Sequence, residues 1–322
     1  MLFRSALASY GVPSRFPRLR LAEFGADDHI RVLLANQHNE PLRVVDAALR
    51  QAGYAPPQTL IRPASPSEPF LTDLAGVLQE QFERTLIEAV GRFADQYQTS
   101  CVAFAGGAAL NCVALGKLAR ARPDLELYVP PAPGDTGQGL GNALWLAYAK
   151  RSPIAEATPP SAIASASLGP RASRSSVERA IERSFPGQAG FNVTKIPDIP
   201  QLANQIATLV AQGRTVAIRA GGLEYGPRAL GNCSIIADPR DPQAQWKVNQ
   251  VKHRESFRPF AASVLERHLN RCFPGAPLSP FMSFAAHASE LVRAAAPGIV
   301  HVDGTTRYQS VSANQGLFGS IL

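Results

Sequence analysis

Cysteine is scarce in this chain of 322 residues, and its four thiols form no CxxC pair. Their scatter argues against a zinc site or a redox motif, so reduced thiols in the cytoplasm are expected. No run approaches eighteen consecutive apolar residues, and no continuous apolar region near the first residue precedes a small-residue cleavage site. These absences exclude a membrane-spanning helix and disfavour a secretory leader.

Lysine is also rare, because 27 of the 32 basic side chains are arginines in a chain of net charge +7. The arginines are spread along the chain and do not form the dense runs, interleaved with aromatics, that are typical of nucleic-acid binders. Arginine matches phosphate oxygens with paired hydrogen bonds. The expected partner is therefore a small ligand that carries phosphate, and neither a membrane nor a nucleic acid is expected.

Strand-like and helix-like segments alternate along the chain. Apolar residues recur every three or four positions over 71–98, which predicts a long amphipathic helix. Two short apolar strands each lead through a glycine loop into a helix, an order that predicts an α/β fold with its ligand where the loops meet. These strands and helices are predicted at 100–106 and 108–120, and at 125–129 and 140–150.

A stretch rich in alanine, serine and proline over 151–168 predicts a linker between two domains, 1–150 and 169–322. Ahead of the long helix, a short helix is predicted over 41–53 and a proline-rich loop over 56–69. In the second domain the sequence predicts a strand at 215–219, a helix at 243–251 and further apolar segments at 260–265 and 282–286.

Two glycine-rich stretches suit the binding of a nucleotide. In AGGAALN (105–111), Gly106 and Gly107 follow a strand and would let the backbone approach phosphate. In PGDTGQGLG (133–141), Gly134 and Gly137 flank Asp135, as a metal or phosphate loop would require. A tight strand-to-helix turn and an ordinary helix cap at Asp135 remain the structural alternatives.

Two other stretches suit an anion. EYGPRALGN (224–232) places Arg228 on a turn that Gly226–Pro227 would make rigid. KHRESFRPF (252–260) holds three cations within seven residues, which form a compact anion site if they point inward. A solvated basic helix end is the alternative for the second stretch.

Five blocks, in this order, resemble the ATP-dependent O-carbamoyltransferases, a family that includes nodulation-factor and antibiotic-tailoring enzymes. The blocks are AGGAALNCVALGKL (105–118), PPAPGDTGQGLGNAL (130–144), EYGPRALGNCSIIADPRDP (224–242), VNQVKHRESFRPFAASVL (248–265) and HVDGTTRYQSV (301–311). The resemblance implies part of an actin-like ATPase domain, followed by a YrdC-like α/β domain.

The resemblance also implies a reaction. Carbamoyl phosphate and ATP would give carbamoyl-adenylate, which carries the carbamoyl group to a hydroxyl of a small-molecule or glycan acceptor, with a divalent metal, iron or magnesium, assisting. Arg228, Lys252, Arg258 and Arg307 would hold carbamoyl phosphate or the adenylate. Gly106, Gly107 and Asn111 would contact the nucleotide, and Asp135 would bind the metal.

Two parts of the family pattern have no counterpart in this sequence: a pair of metal-binding histidines four residues apart and an Asn-Thr-Ser-Phe-Asn type stretch. We therefore expect that the chain by itself forms no carbamoyl-adenylate. A complementing chain or a homo-oligomer is the expected protein partner. A non-catalytic family remnant, or one part of a split enzyme, is the alternative to an active transferase. A tRNA-modifying relative is disfavoured by the blocks that contain Arg228 and Arg258.

Overall fold

The computed structural model describes residues 8, 11–17, 19, 22–24, 30–32, 48–54, 69–149, 163–185 and 192–322. The helices are α1 (Pro69–Gln96), α2 (Cys112–Ala121), α3 (Gln138–Ala149), α4 (Arg174–Ser184), α5 (Ile199–Ala211), α6 (Ala244–Val251), α7 (Leu269–Cys272), α8 (Glu290–Ala295) and α9 (Gly316–Ile321). The strands are β1 (Ala22–Phe24), β2 (Ile30–Val32), β3 (Cys101–Ala103), β4 (Glu126–Tyr128), β5 (Val216–Arg219), β6 (Cys233–Ile236), β7 (Ala262–Leu265), β8 (Phe284–His287) and β9 (Thr305–Val311). Helices and short strands alternate, which confirms the α/β class.

The long helix predicted from apolar periodicity is α1. Its first turns bury Leu71, Leu74 and Val77, as the spacing of the apolar residues requires. Its last turns differ from the prediction, because Phe93 is 42% exposed and Tyr97 is 71% exposed. Arg122, which follows α2, contacts this end of α1 through hydrogen bonds to the Gly91 carbonyl and the Asp95 carboxylate, and neither aromatic ring is buried there.

The segment after β3 is not one helix from 108 to 120, as the sequence predicts. A short 3₁₀ turn covers Gly107–Leu110, the helical conformation is interrupted at Asn111, and α2 begins at Cys112. The break occurs because the Asn111 side chain accepts a hydrogen bond from the Ala114 N–H and so caps α2. The predicted parallel pairing is correct: β3 lies beside β4 in parallel register.

The largest sheet has the order β7–β9–β8, with β9 parallel to β7 and antiparallel to β8. Helix α2 packs directly on β8. A Cβ added to Gly116 would lie 1.9 Å from the Ala285 carbonyl oxygen, so glycine is what permits this close approach.

The main apolar core joins segments from both sides of the predicted linker. Leu115 and Leu118 of α2 pack in one cluster with Phe273, Phe284 and Tyr308. Phe273 and Tyr308 stack with their ring centroids 5.0 Å apart. Early and late parts of the chain therefore share a single hydrophobic core.

A second group of elements surrounds the antiparallel pair β5–β6. Ile218 of β5, Val311 of β9 and Phe318 of α9 form its buried core, and α9 also packs against α5. The predicted strand 215–219 and helix 243–251 correspond to β5 and α6. The apolar segment at 260–265 contains β7, and the one at 282–286 overlaps β8.

Several predictions fall wholly or partly outside the described residues. They are the loop at 56–69, most of the helix at 41–53 and most of the linker at 151–168. The assignment of actin-like and YrdC-like folds also stays a prediction. None of the helices in the described part of the chain combines the length and apolar character that crossing a bilayer requires.

Candidate functional site

The two glycine loops lie side by side at the carboxyl ends of β3 and β4. The Gly106 N–H donates a hydrogen bond of 2.6 Å to the Pro133 carbonyl oxygen. A Cβ on Gly134 would lie 3.9 Å from the Gly107 Cα. The structure therefore brings these loops together at one sheet edge, the place where α/β proteins bind ligands.

The glycines in these loops differ in what surrounds them. Among the described residues, a Cβ built on Gly106 or Gly107 would meet no atom within 4 Å, and Gly106 has a φ of +90° that larger residues rarely adopt. At Gly137 a Cβ would lie 2.0 Å from the Ala132 carbonyl oxygen. The first loop thus leaves its backbone open to a ligand, whereas Gly137 is required by packing.

Asn111, which the resemblance assigns to the nucleotide, is 3% exposed and engaged inside the protein. Besides capping α2, its amide group exchanges two hydrogen bonds with the Gln79 amide of α1, at 2.9 and 3.1 Å. Gln79 in turn donates to Glu83, which pairs with Lys117 of α2. In this structure Asn111 fixes the end of the first glycine loop.

Asp135 begins a 3₁₀ turn and is exposed. Among the described residues no group of three or more His, Cys, Asp or Glu side chains could hold a metal ion. A single exposed carboxylate binds a divalent ion weakly, so the described residues do not form a complete metal site around Asp135.

The loop 224–232 packs directly on the second glycine loop. The Tyr225 hydroxyl donates to the Thr136 carbonyl oxygen at 2.8 Å. A Cβ on Gly226, whose φ is +117°, would lie 2.2 Å from the Pro131 carbonyl oxygen. Glycine is therefore required where the two backbones meet.

Glu224 stabilises this loop from within. One carboxylate oxygen accepts hydrogen bonds from the backbone N–H groups of Leu230, Asn232 and Cys233, at 2.8 to 3.0 Å. Partial burial acts to raise the pKa of Glu224, but these three donors outweigh it and hold the pKa below its usual value. The carboxylate thus closes the loop into a fixed shape.

Arg228 is the buried cation that this loop presents. It is 8% exposed, and one guanidinium nitrogen donates to the Leu110 carbonyl oxygen of the first glycine loop at 3.2 Å. Burial, and then the positive charge of Arg307, lower the pKa of Arg228 to about 10. Loop 224–232 therefore packs against both glycine loops, through its contacts with Leu110, Pro131 and Thr136.

Arg307 and Arg254 extend the positive charge beyond Arg228. Within the described residues, the Nε atoms of Arg254 and Arg307 are buried and have no hydrogen-bond partner. Burial, and then the charges of Arg258 and Arg307, lower the pKa of Arg254. Arg254 also lies over the Phe260 ring, 5.2 Å from its centroid. We call Arg228, Arg254, Arg258 and Arg307 the arginine cluster.

The predicted cations Arg258 and Lys252 differ in their surroundings. Arg258 is half-buried in the arginine cluster and forms an ion pair with the Glu255 carboxylate at 2.8 Å. Lys252 is exposed at the end of α6. Among the described residues, Lys252 takes part in none of the hydrogen bonds, ion pairs or charge interactions described above for the arginine cluster. The structure thus gathers three of the four predicted cations and leaves Lys252 at the surface.

Sequence reasoning missed the roles of Glu224, Tyr225 and Arg254. Arg254 lies within the cation-rich stretch 252–260, and its position two residues after Lys252 was a usable signal. Glu224 and Tyr225 precede the turn that presents Arg228, but their contacts are to backbone groups. A sequence pattern does not reveal such contacts.

Family models match two parts of this chain. The model described as carbamoyltransferase N-terminus matches residues 28–144, and the one described as carbamoyltransferase C-terminus matches residues 207–321. The first match contains both glycine loops, and the second contains the arginine cluster. The resemblance seen in the sequence blocks is confirmed.

Curated relatives give the same result. Nodulation protein NolNO of Sinorhizobium fredii is 35% identical over 75% of this chain, which corresponds to 35% of that protein. Nodulation protein NolO of Bradyrhizobium diazoefficiens is 34% identical over 74% of this chain and 43% of its own length. The uncharacterized protein sll1178 of Synechocystis is 30% identical over 95% of this chain and 52% of its own length. The chain thus spans about half or less of the length of these relatives.

Proposed function

This chain belongs to the carbamoyltransferase family, and from that premise we propose that its arginine cluster binds carbamoyl phosphate and the carbamoyl-adenylate made from it. The observation that carries this proposal is a set of guanidinium groups, of which Arg228 is buried and the other three are half-buried, beside two glycine loops. Family membership supports carbamoyl transfer in general. The donor, the intermediate and the acceptor belong to the proposal.

Placing the guanidinium groups of the arginine cluster close together costs free energy unless an anion offsets their positive charge. Arg228 is buried and its one described hydrogen bond is to a neutral carbonyl, while the neighbouring charge of Arg307 opposes its own. Burying like charges together disfavours their charged forms. A phosphate group would supply oxygen acceptors to the buried N–H donors and would offset this repulsion.

The glycine loops suit the nucleotide part of the same ligand. Gly106 and Gly107 leave space at their Cα atoms, so phosphate or ribose oxygens can approach the backbone closely. Arg228 reaches the same loop through the Leu110 carbonyl. A nucleotide on the loops would therefore have its phosphates beside the arginine cluster.

In net terms, carbamoyl phosphate, ATP and one water give carbamoyl-adenylate, inorganic phosphate and pyrophosphate. The oxygen of an acceptor hydroxyl then attacks the carbamoyl carbon, AMP leaves, and the hydroxyl proton is released. Both steps expel anionic groups, and fixed guanidinium groups stabilise such groups as their charge develops. We propose a hydroxyl of a small molecule or glycan as the acceptor.

The resemblance also implies a divalent metal, iron or magnesium. Asp135 is the one carboxylate of this chain that matches the family pattern, and the described residues do not complete a ligand set around it. We assign no step of the reaction to a metal on these residues.

Binding measurements test the proposal on the intact chain. We expect calorimetric titration to detect carbamoyl phosphate and ATP, and we expect Arg307→Ala to weaken carbamoyl phosphate binding by about 10- to 100-fold, because a charge-assisted contact is lost. Arg174→Ala is the matched control, since Arg174 lies on α4 with its side chain 78% exposed. Equal binding by Arg307→Ala and the native chain would overturn the site.

A second measurement separates an active transferase from its alternative, a non-catalytic remnant or one part of a split enzyme. We expect the chain alone to form no carbamoyl-adenylate from labelled carbamoyl phosphate and ATP, as mass spectrometry would record. We expect the product to form once the unmatched part of a full-length relative is supplied. Ligand binding without product under both conditions would assign the chain a binding role only.

A further inference from the structure

Helix α3 is rich in apolar side chains and is largely exposed. Its twelve residues, QGLGNALWLAYA, contain no charged side chain, and none of them is buried. Leu144 is 40% exposed, Trp145 is 70% exposed and Leu146 is 47% exposed. A helix with this many apolar side chains and no charge is normally covered by other elements, so this exposure requires an explanation.

The adjoining sheet is open as well. Among the described residues, β3 and β4 pair only with each other, which leaves one edge of each strand free. Cys101 and Ala103 of β3 are exposed. Parallel sheets are normally covered on both faces, and two strands alone seldom form a stable sheet. Strand β3 and helix α3 therefore expose surface that is normally covered, although α2 between them is packed in the main core.

The relatives are longer than this chain. This chain corresponds to 35%, 52% and 43% of the three relatives described above, so each of them carries a long stretch with no counterpart here. In those proteins the segment equivalent to α3 folds in the presence of that additional polypeptide. A second copy of this chain would not supply the same sequence.

We infer that the exposed face of α3 and the free edges of β3 and β4 form a docking surface for that additional polypeptide. The occupant adds strands to the sheet edge and covers Leu144, Trp145 and Leu146 with apolar side chains. Tryptophan is among the residues that contribute most to such interfaces. This inference rests on the open surface and the relatives' length, and it does not depend on the proposed chemistry.

Tryptophan fluorescence provides a direct test, because the chain contains two tryptophans, Trp145 and Trp246. In the Trp246→Phe variant, Trp145 is the sole reporter. The binding probe is the portion of the Synechocystis relative that lies outside the match, co-expressed with this chain. We expect a stable complex in which the emission of Trp145 moves to shorter wavelength.

Substitutions at the surface define the contact. We expect Trp145→Glu to weaken the complex by at least about 30-fold, as a central interface residue would. The matched control is Leu278→Glu, at a leucine that is 59% exposed elsewhere in the chain. Undiminished binding by Trp145→Glu would overturn the inference. So would a self-associated chain that hides Trp145 and is not dissociated by the added polypeptide.

A measurement on the intact relative covers the case in which the separate portion does not fold. Trp145→Cys in this chain should react rapidly with a thiol reagent, as peptide mapping by mass spectrometry would show. A cysteine at the aligned position of the full-length Synechocystis protein should be protected at least about tenfold. Equal reactivity at the two positions would contradict a buried role for this helix.

Discussion

At the residue scale, Glu224 determines the shape of the loop that carries Arg228. Its carboxylate accepts hydrogen bonds from three backbone N–H groups of that loop. Hydrogen bonds to a charged group contribute about 1.5–3 kcal/mol, and buried donors left without a partner add to the loss. The Glu224 carboxylate therefore fixes the loop that carries Arg228, although Glu224 is not a member of the arginine cluster.

We expect Glu224→Ala to lower the free energy of unfolding by about 2 kcal/mol and to weaken carbamoyl phosphate binding. Hydrogen exchange at the amides of Leu230, Asn232 and Cys233 should accelerate, which a loss of charge alone would not cause. The control is Glu290→Ala, at the start of α8. Unchanged exchange at the three amides would contradict the role given to Glu224.

The lowered pKa of Glu224 also predicts how the stability of the protein changes with pH. A carboxylate whose folded pKa is depressed stabilises the protein above its unfolded pKa of about 4.3, and this contribution disappears as the pH falls through the folded pKa. We expect denaturant titrations between pH 5 and pH 2 to show this loss in the native chain. Glu224→Gln should show a flatter profile over the same interval.

Arg258 and Lys252 should respond differently to substitution. Arg258→Lys should weaken carbamoyl phosphate binding about tenfold, because the planar guanidinium fork is lost inside the arginine cluster. Lys252→Ala should weaken it less, because the ammonium is exposed at the end of α6 and lies outside the arginine cluster, and should not change stability. Calorimetry and thermal denaturation on both variants provide the comparison. Native affinity in Lys252→Ala would remove that residue from the proposed site.

At the scale of elements, the two glycine loops combine one open segment with one packed segment. Gly107 faces empty space, whereas Gly137 lies against the Ala132 carbonyl. Side chains added at these positions should therefore affect different properties. Substitutions at Gly107 and Gly137 therefore distinguish an effect on ligand binding from an effect on stability.

We expect Gly107→Val to abolish detectable ATP binding while changing the free energy of unfolding by less than about 1 kcal/mol. Gly137→Ala should destabilise the protein by about 1–3 kcal/mol, because its Cβ would overlap a backbone oxygen. Arg174→Ala, at a side chain that is 78% exposed on α4, is the control. Strong destabilisation by Gly107→Val would show that this glycine is structural.

The helices and strands also show how much of the fold could be predicted from the sequence. Periodicity located α1, and the position of glycines after apolar runs located the parallel strands β3 and β4, because these signals are local. The break at Asn111 was missed, since its cause includes Gln79, 32 residues earlier in the chain. The arginine cluster was identified in part, but the close contact between loop 224–232 and the second glycine loop depends on tertiary packing.

At the scale of the whole molecule, the shared core couples the early and late parts of the chain. Leu115 and Leu118 pack with Phe284 and Tyr308, so α2 and the β7–β9–β8 sheet stabilise each other. Two parts that share a core are expected to unfold in one cooperative step. A chain whose two parts had separate cores would show two steps.

We expect Gly116→Ala to destabilise both parts together by about 1–3 kcal/mol or more, because its Cβ would lie 1.9 Å from the Ala285 carbonyl oxygen. Hydrogen exchange in peptides that contain β4 and β9 should accelerate to the same extent. Gly139→Ala, at an open helical position, is the control. Acceleration confined to one of the two peptides would indicate independent unfolding.

The contact between Gly226 and Pro131 also constrains how this gene can recombine. The two residues lie in stretches encoded far apart, yet their backbones meet so closely that a single methyl group at position 226 would collide with the Pro131 carbonyl. A crossover that joins the first half of one relative's gene to the second half of another keeps each motif intact. It produces a working hybrid only when both parents follow the same backbone path at this contact. The two halves are therefore expected to be inherited as one unit, and hybrid genes with a side chain at this glycine should yield insoluble protein.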